Sequence, residues 1–100
     1  MTAELILNRA EELREELIEN RRTFHSFAET GFDLPRTTAF VEEKLRSYGL
    51  EPVRCGKAGI TCVIGDPGKG KCFLLRGDMD ALPMTEESGL PFAAQNGHCH

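Results

Sequence analysis

The sequence predicts a small α/β fold, and three observations carry the prediction. Apolar residues in the first half recur at helical spacing. Short β-branched apolar runs occupy the second half. A Gly- and Pro-rich stretch separates two of those runs.

The first element is a helix. Ile6, Ala10, Leu13, Leu17, Phe24 and Ala28 recur at spacings of three, four and seven, which places them on one face of a 3.6-residue period. Glu and Arg fill the other faces and form a solvated surface. Thr30 and Gly31 are expected to stop or bend it. Asp33 then serves as an N-cap for a second helix, with Pro35 in its first turn, where proline is tolerated. Val41, Leu45 and Tyr48 mark the buried face of that helix. Gly49 supplies its stop, and Leu50 is placed to fold back on the last turn.

After Pro52 the period changes. Residues 60–64 and 72–75 form two apolar runs, and residues 65–70 (Gly-Asp-Pro-Gly-Lys-Gly) read as the turn between them. The two runs are expected to pair as an antiparallel hairpin. They are apolar on successive residues, so both faces should be covered, as inside a mixed sheet flanked by helices. From Gly77 onward the chain reads as loop. Two helices cannot cover both faces of such a sheet, so the 100 residues are expected to belong to a larger domain.

Composition narrows the function classes. Hydrophobic residues make up 40% and charged residues 28%, which excludes disordered and collagen-like chains. Twelve basic residues face 16 acidic ones, for a net charge of -4, and no basic stripe suits nucleic acid. No apolar run approaches the ~20 residues that cross a bilayer. Glu4, Arg9, Glu11 and Glu12 interrupt any signal-peptide core, so a cytoplasmic location is expected. Cysteines stand at 55, 62, 72 and 99 without Cys-x-x-Cys spacing. Cys55, Cys62 and Cys72 are expected to be reduced thiols, and Cys62 and Cys72, in the strand runs, to be buried.

Four motifs bear on chemistry. Residues 65–72 nearly match a phosphate-binding loop, with Gly65, Gly70 and Lys71 in place and Cys72 where Ser or Thr should stand. That motif needs a following helix, and Phe73, Leu74 and Leu75 read as strand, so the turn reading prevails. Arg76-Gly77-Asp78 spells an adhesion tripeptide by coincidence. Asp78 and Asp80 lie two apart just beyond a predicted strand end, where ligands collect in α/β sheets. They suit a cation or the orientation of a histidine ligand, and equally a loop that caps its own backbone. His98, Cys99 and His100 offer imidazole and thiolate donors, but adjacent side chains diverge, which favours a loop over a complete site. His25 sits at the rim of the apolar helical face, packed or half-exposed.

Several ordered blocks resemble one enzyme family. Arg21-Arg22-Thr23-Phe24-His25, Glu29-Thr30-Gly31-Phe32, and then Thr37 and Val41 look like the start of metal-dependent amidohydrolases. These are the aminoacylase and carboxypeptidase-like peptidases, in particular the branch with hippurate hydrolases and auxin-conjugate hydrolases. Arg76-Gly77-Asp78-Met79-Asp80-Ala81-Leu82-Pro83-Met84 and Glu86-Glu87-Ser88-Gly89-Leu90-Pro91-Phe92 continue the match. Ala28 stands where the family usually has Pro, and Gly77 where Ala is commoner.

The resemblance implies a zinc-peptidase-like catalytic domain, of which residues 1–100 are the incomplete N-terminal portion. The rest of that domain and a lid or dimerisation domain would lie elsewhere. It implies two divalent ions (zinc, manganese, cobalt or nickel) sharing a water whose hydroxide attacks an amide carbonyl, with a glutamate as general base. It implies an N-acyl amino acid or small peptide substrate and a homodimer for the complete enzyme. Asp80 matches the catalytic-site aspartate that orients a metal ligand. Asp78 stands where distant relatives carry a ligating histidine, a role the family's cysteine takes over in this branch. In the family, the stretch matching His98-Cys99-His100 continues as Ala-Cys-Gly-His-Asp, so the metal ligands are expected just beyond His100 and the isolated chain is expected to be inactive. The alternative is a non-catalytic remnant that binds metal weakly or associates with itself through exposed strand edges.

Overall fold

The structure is a computed structural model and describes residues 2–100. Three helices precede a two-stranded antiparallel hairpin, an α/β arrangement as the sequence predicts. The helices are α1 (Ala3–Glu12), α2 (Arg14–Ser26) and α3 (Pro35–Ser47). The strands are β1 (Val53–Cys55) and β2 (Gly59–Thr61), and a single 3₁₀ turn follows at Pro67–Lys69. Among the described residues, no helix is long and apolar enough to cross a membrane.

The expected first helix is two helices that meet at Leu13. The Thr2 hydroxyl caps α1 by accepting from the Leu5 amide at 3.2 Å. At Leu13 the amide is shared between the carbonyls of Arg9 and Ala10, at 3.3 and 3.2 Å. Such sharing is common where a helical turn tightens. Neither Gly nor Pro marks the break. The second helix ends at Ser26, whose hydroxyl donates to the Thr23 carbonyl at 2.7 Å. Ala28 therefore lies beyond the helix rather than on its face, yet it is fully buried.

Entry into α3 is built from a distance. Leu34, not Asp33, holds the N-cap position, and it offers no side-chain cap. The Glu29 carboxylate supplies it instead, accepting from the Arg36 amide at 3.2 Å and from the Thr37 amide and hydroxyl at 2.7 Å each. Pro35 occupies the first turn, as expected. At the other end, Gly49 adopts φ 81° and Leu50 donates back to the Leu45 carbonyl at 3.0 Å. Gly49 donates to Arg46 at 3.0 Å, which completes a Schellman motif as the sequence predicts.

Helices α2 and α3 meet through Phe24, Phe27 and Phe40. Phe24 and Phe40 stand edge to face at 4.8 Å, and Phe27 closes the cluster at 6.1 Å from each. Each such pair contributes about 0.5–1.5 kcal/mol beyond area burial. A second contact point is made of alanines. Ala28, Ala81 and Ala94 pack together, and their small side chains let three backbone segments approach closely. Across this point Ala81 donates to the Glu29 carbonyl at 2.7 Å, and the Asn96 side chain donates to the Ala28 carbonyl at 2.6 Å.

The hairpin differs in place from the expectation. β1 pairs with β2 through Val53↔Thr61, Arg54↔Ile60 and Cys55↔Gly59. The three-residue loop between them starts at Gly56 with φ 65°, a conformation suited to glycine. This short closure outcompetes the longer one, because residues 65–70 spend their turn chemistry on the 3₁₀ turn, with Asp66 capping Gly68 at 2.9 Å. Residues 72–75 consequently form no strand. Leu75 is 95% exposed, and Phe73, Leu74, Val63 and Ile64 are exposed as well. Cys72 is exposed and Cys62 only half-buried, against the expectation that strands would cover both. No helix follows Gly70, so no phosphate cradle forms.

Candidate functional site

One side of α2 carries Leu17, Arg21 and His25, four residues apart and therefore in line. Residues 84–92 fold over that side. Together they enclose a cleft of about 690 Å³, walled by Leu17, Ile18, Met84, Leu90 and Phe92, with Arg21, Arg22, His25, Glu86 and Cys99 as its main polar groups. Arg22 lies over the Phe92 ring at 4.7 Å, and the His25 ring meets Phe92 edge-on at 5.9 Å.

Glu86 is the hub. Its carboxylate accepts from His25 Nε2 at 2.6 Å, from the Ala94 amide at 3.0 Å, and from the Ser88 hydroxyl. The Glu86 side chain is 5% exposed and that of His25 15% exposed. The Ser88 hydroxyl, then the Ala94 amide, hold the Glu86 carboxyl below the usual range, and they outweigh burial, which acts the other way. His25 is thus a half-buried helical histidine, as the sequence suggested, but it is fixed by a carboxylate 61 positions on that helical spacing gave no sign of.

Asp80 is exposed and ends a stretch, residues 71–80, without regular structure. The residues after it are tightly held. Ala81 forms a parallel bridge with Thr30, and Leu82 exchanges two backbone hydrogen bonds with Cys99, at 2.8 and 3.0 Å. The His98-Cys99-His100 side chains diverge, as expected of neighbours in an extended chain. Cys99 lines the large cleft. His100 lines a smaller concavity of about 300 Å³ with Arg21, Phe24, Asp78 and Met79. Burial lowers the His100 pKa, the charges of Arg21 and His25 lower it further, and Asp80 opposes them. Asp80 and His100 therefore share one electrostatic neighbourhood. Asp78 is engaged by Arg76 at 2.6 Å on the surface.

The two divalent ions that the resemblance implies need several donors converging on one point. Near Asp80 the described residues supply two exposed carboxylates, Asp80 itself and the Arg76-paired Asp78, and one imidazole, His100, whose Nε2 is buried without a hydrogen-bond partner. That set does not make a two-metal centre.

Comparison with known proteins gives the fold and site a family. No protein-family model matches the chain. An N-acyl-L-amino acid amidohydrolase of Geobacillus stearothermophilus is 36% identical over 97 residues, which is 96% of this chain and 26% of that protein. A Rhodococcus jostii protein with a provisional glutamate–cysteine ligase name is 43% identical over 96 residues, 94% of this chain but 12% of that protein. Among solved structures, a provisional aminohydrolase from methicillin-resistant Staphylococcus aureus superposes with a TM-score of 0.88 at 34% identity. It is matched over 99% of this chain and 27% of its own. By sequence and by fold, the chain belongs with the amidohydrolases. Within them it corresponds to the N-terminal part, and it spans about a quarter of the length of the amidohydrolase and aminohydrolase relatives.

Proposed function

We propose that these residues form the front of the catalytic domain of a metal-dependent amidohydrolase that splits the amide bond of N-acyl amino acids or small peptides. The observation that carries the reading is the likeness, at 34% identity over 99% of the chain, to a solved aminohydrolase. The name of the Geobacillus relative supports the substrate class. In this reading the chain contributes positioning rather than metal ligands. Glu29 and Thr30 hold the backbone at Ala81 and Cys99 holds it at Leu82, next to Asp80. Asp80 then orients a ligand histidine supplied from further along the complete protein.

By itself the 100-residue chain should not turn over N-acetyl amino acids with zinc, manganese, cobalt or nickel added. Steady hydrolysis by the pure chain, proportional to its concentration, would contradict this. A chimera tests the positive half. The chain replaces the N-terminal segment of the Geobacillus amidohydrolase, and hydrolysis of N-acetyl amino acids is followed. Metal-dependent hydrolysis is expected; a folded chimera without it overturns the reading. In that chimera Asp80→Asn should lower turnover by about 10–100-fold, the usual cost of removing a group that orients a metal ligand. Unchanged kcat and unchanged metal content would take Asp80 out of the site.

The second reading is a non-catalytic chain that self-associates. The exposed apolar residues 73–75 favour it.

A further inference from the structure

We propose that His25, Glu86 and Cys99 form a binding site for a single divalent transition-metal ion of the zinc type, separate from the centre that the amidohydrolase resemblance places beyond His100. The ligand atoms of these three side chains all lie within 4.8 Å of one another. His25 lies more than 60 positions before the other two, so local sequence does not force the set together.

Each donor is already held in place. His25 is carried by α2. The Ala94 amide and Ser88 hydroxyl anchor Glu86. Two backbone hydrogen bonds to Leu82 fix Cys99. Holding the donors before the ion arrives reduces the ordering cost of binding. The His25–Glu86 hydrogen bond accounts for two of the three groups. It gives no reason for a thiol to face them.

The donor chemistry selects the ion. Imidazole nitrogen, thiolate sulfur and carboxylate oxygen in one set suit zinc and its neighbours rather than magnesium or calcium. Ligand bonds of about 2.0–2.3 Å in a tetrahedron put donor atoms roughly 3.3–3.7 Å apart. The His25–Glu86 pair, now at 2.6 Å, has to open by under about 1 Å, and the Cys99 sulfur, within 4.8 Å of both, closes in by at most about 1.5 Å. On binding, Cys99 gives up its proton to solvent, and the ion replaces the proton between His25 and Glu86, which passes to solvent from an imidazolium or to Nδ1 in a neutral imidazole. Three protein donors leave a fourth position open, and all three line the cleft between α2 and residues 84–92. The ring of His100 lies 6.3 Å from that of His25, and its Nε2 is a buried, unpartnered nitrogen beside the set.

Cobalt(II) titration of the purified 100-residue chain tests the site without reference to amide hydrolysis, so its failure and that of the proposed function are distinct results. Cys55→Ser, Cys62→Ser and Cys72→Ser combined leave Cys99 as the one thiol. One cobalt per chain, with a thiolate-to-cobalt charge-transfer band, is expected in that background. The band should vanish in Cys99→Ser, and Glu86→Gln should weaken binding at least tenfold, both with far-ultraviolet circular dichroism unchanged. No thiolate band in the Cys99-only background overturns the site, as does equal binding by Cys99→Ser. If either variant fails to fold, X-ray absorption of the zinc-loaded chain carrying Cys55→Ser, Cys62→Ser and Cys72→Ser decides. One sulfur among nitrogen and oxygen neighbours supports the site, and a shell without sulfur overturns it.

Discussion

Glu29 ties α3 and the backbone at Ala81 to one residue. Its carboxylate caps α3 through three hydrogen bonds, while its own carbonyl receives Ala81. Burial raises its pKa, but the hydroxyl and amide of Thr37, the Arg36 amide and the Arg36 charge together outweigh burial and hold it below the ordinary glutamate range. The sign of the pH effect follows. The folded state binds this proton more weakly than the unfolded chain, so the Glu29 contribution is complete above the unfolded value. It is lost as pH falls through the lower folded value. Denaturant unfolding followed between pH 6 and 3 should show this slope in the wild type, flattened in Glu29→Gln. Glu29→Ala should cost about 1–2 kcal/mol at neutral pH, the size of a lost helix cap. A midpoint that does not move would show that the cap contributes nothing.

The ends of α3 separate what local sequence can encode from what it cannot. Its C-terminus is legible because every participant lies within six residues, and the left-handed φ of Gly49 requires no outside help. Gly49→Ala meets no neighbouring atom within 4 Å, so its expected loss of about 1–2 kcal/mol is backbone cost alone. Thermal unfolding measured by circular dichroism checks that value. The N-terminus misleads, because Asp33 has the right chemistry in the wrong geometry and the true cap comes from Glu29, six residues before Pro35. A similar reason explains the hairpin. Two apolar runs around a Gly-rich stretch look self-sufficient. Which run pairs with which depends on competing loop closures, and the three-residue loop after Cys55 wins. The site divides likewise. Asp80 and the His98-Cys99-His100 run stand out by motif, whereas the His25–Glu86–Cys99 grouping depends on the fold of residues 84–92 and has no periodic signature.

As a whole molecule the chain is open. Its radius of gyration is 15.9 Å, against roughly 13 Å for a compact domain of this length. Much of the buried apolar set is alanine, and the large apolar side chains at 73–75 face outward. The isolated chain should therefore associate. Sedimentation velocity is expected to show a mass that rises with concentration, and Phe73→Lys with Leu75→Lys should shift it toward the monomer. A wild-type chain that stays monomeric throughout would remove the exposed run as an association surface. The Asn96–Ala28 hydrogen bond adds a temporal consequence, since its partners are 68 positions apart. During synthesis, α2 and α3 can dock as soon as Phe40 clears the ribosome. The backbone beyond α2, however, waits unlatched until Asn96 emerges. The nascent chain thus passes through a long interval in which its helices are formed and the neighbourhood of Asp80 is not, and chaperone contact is most needed there.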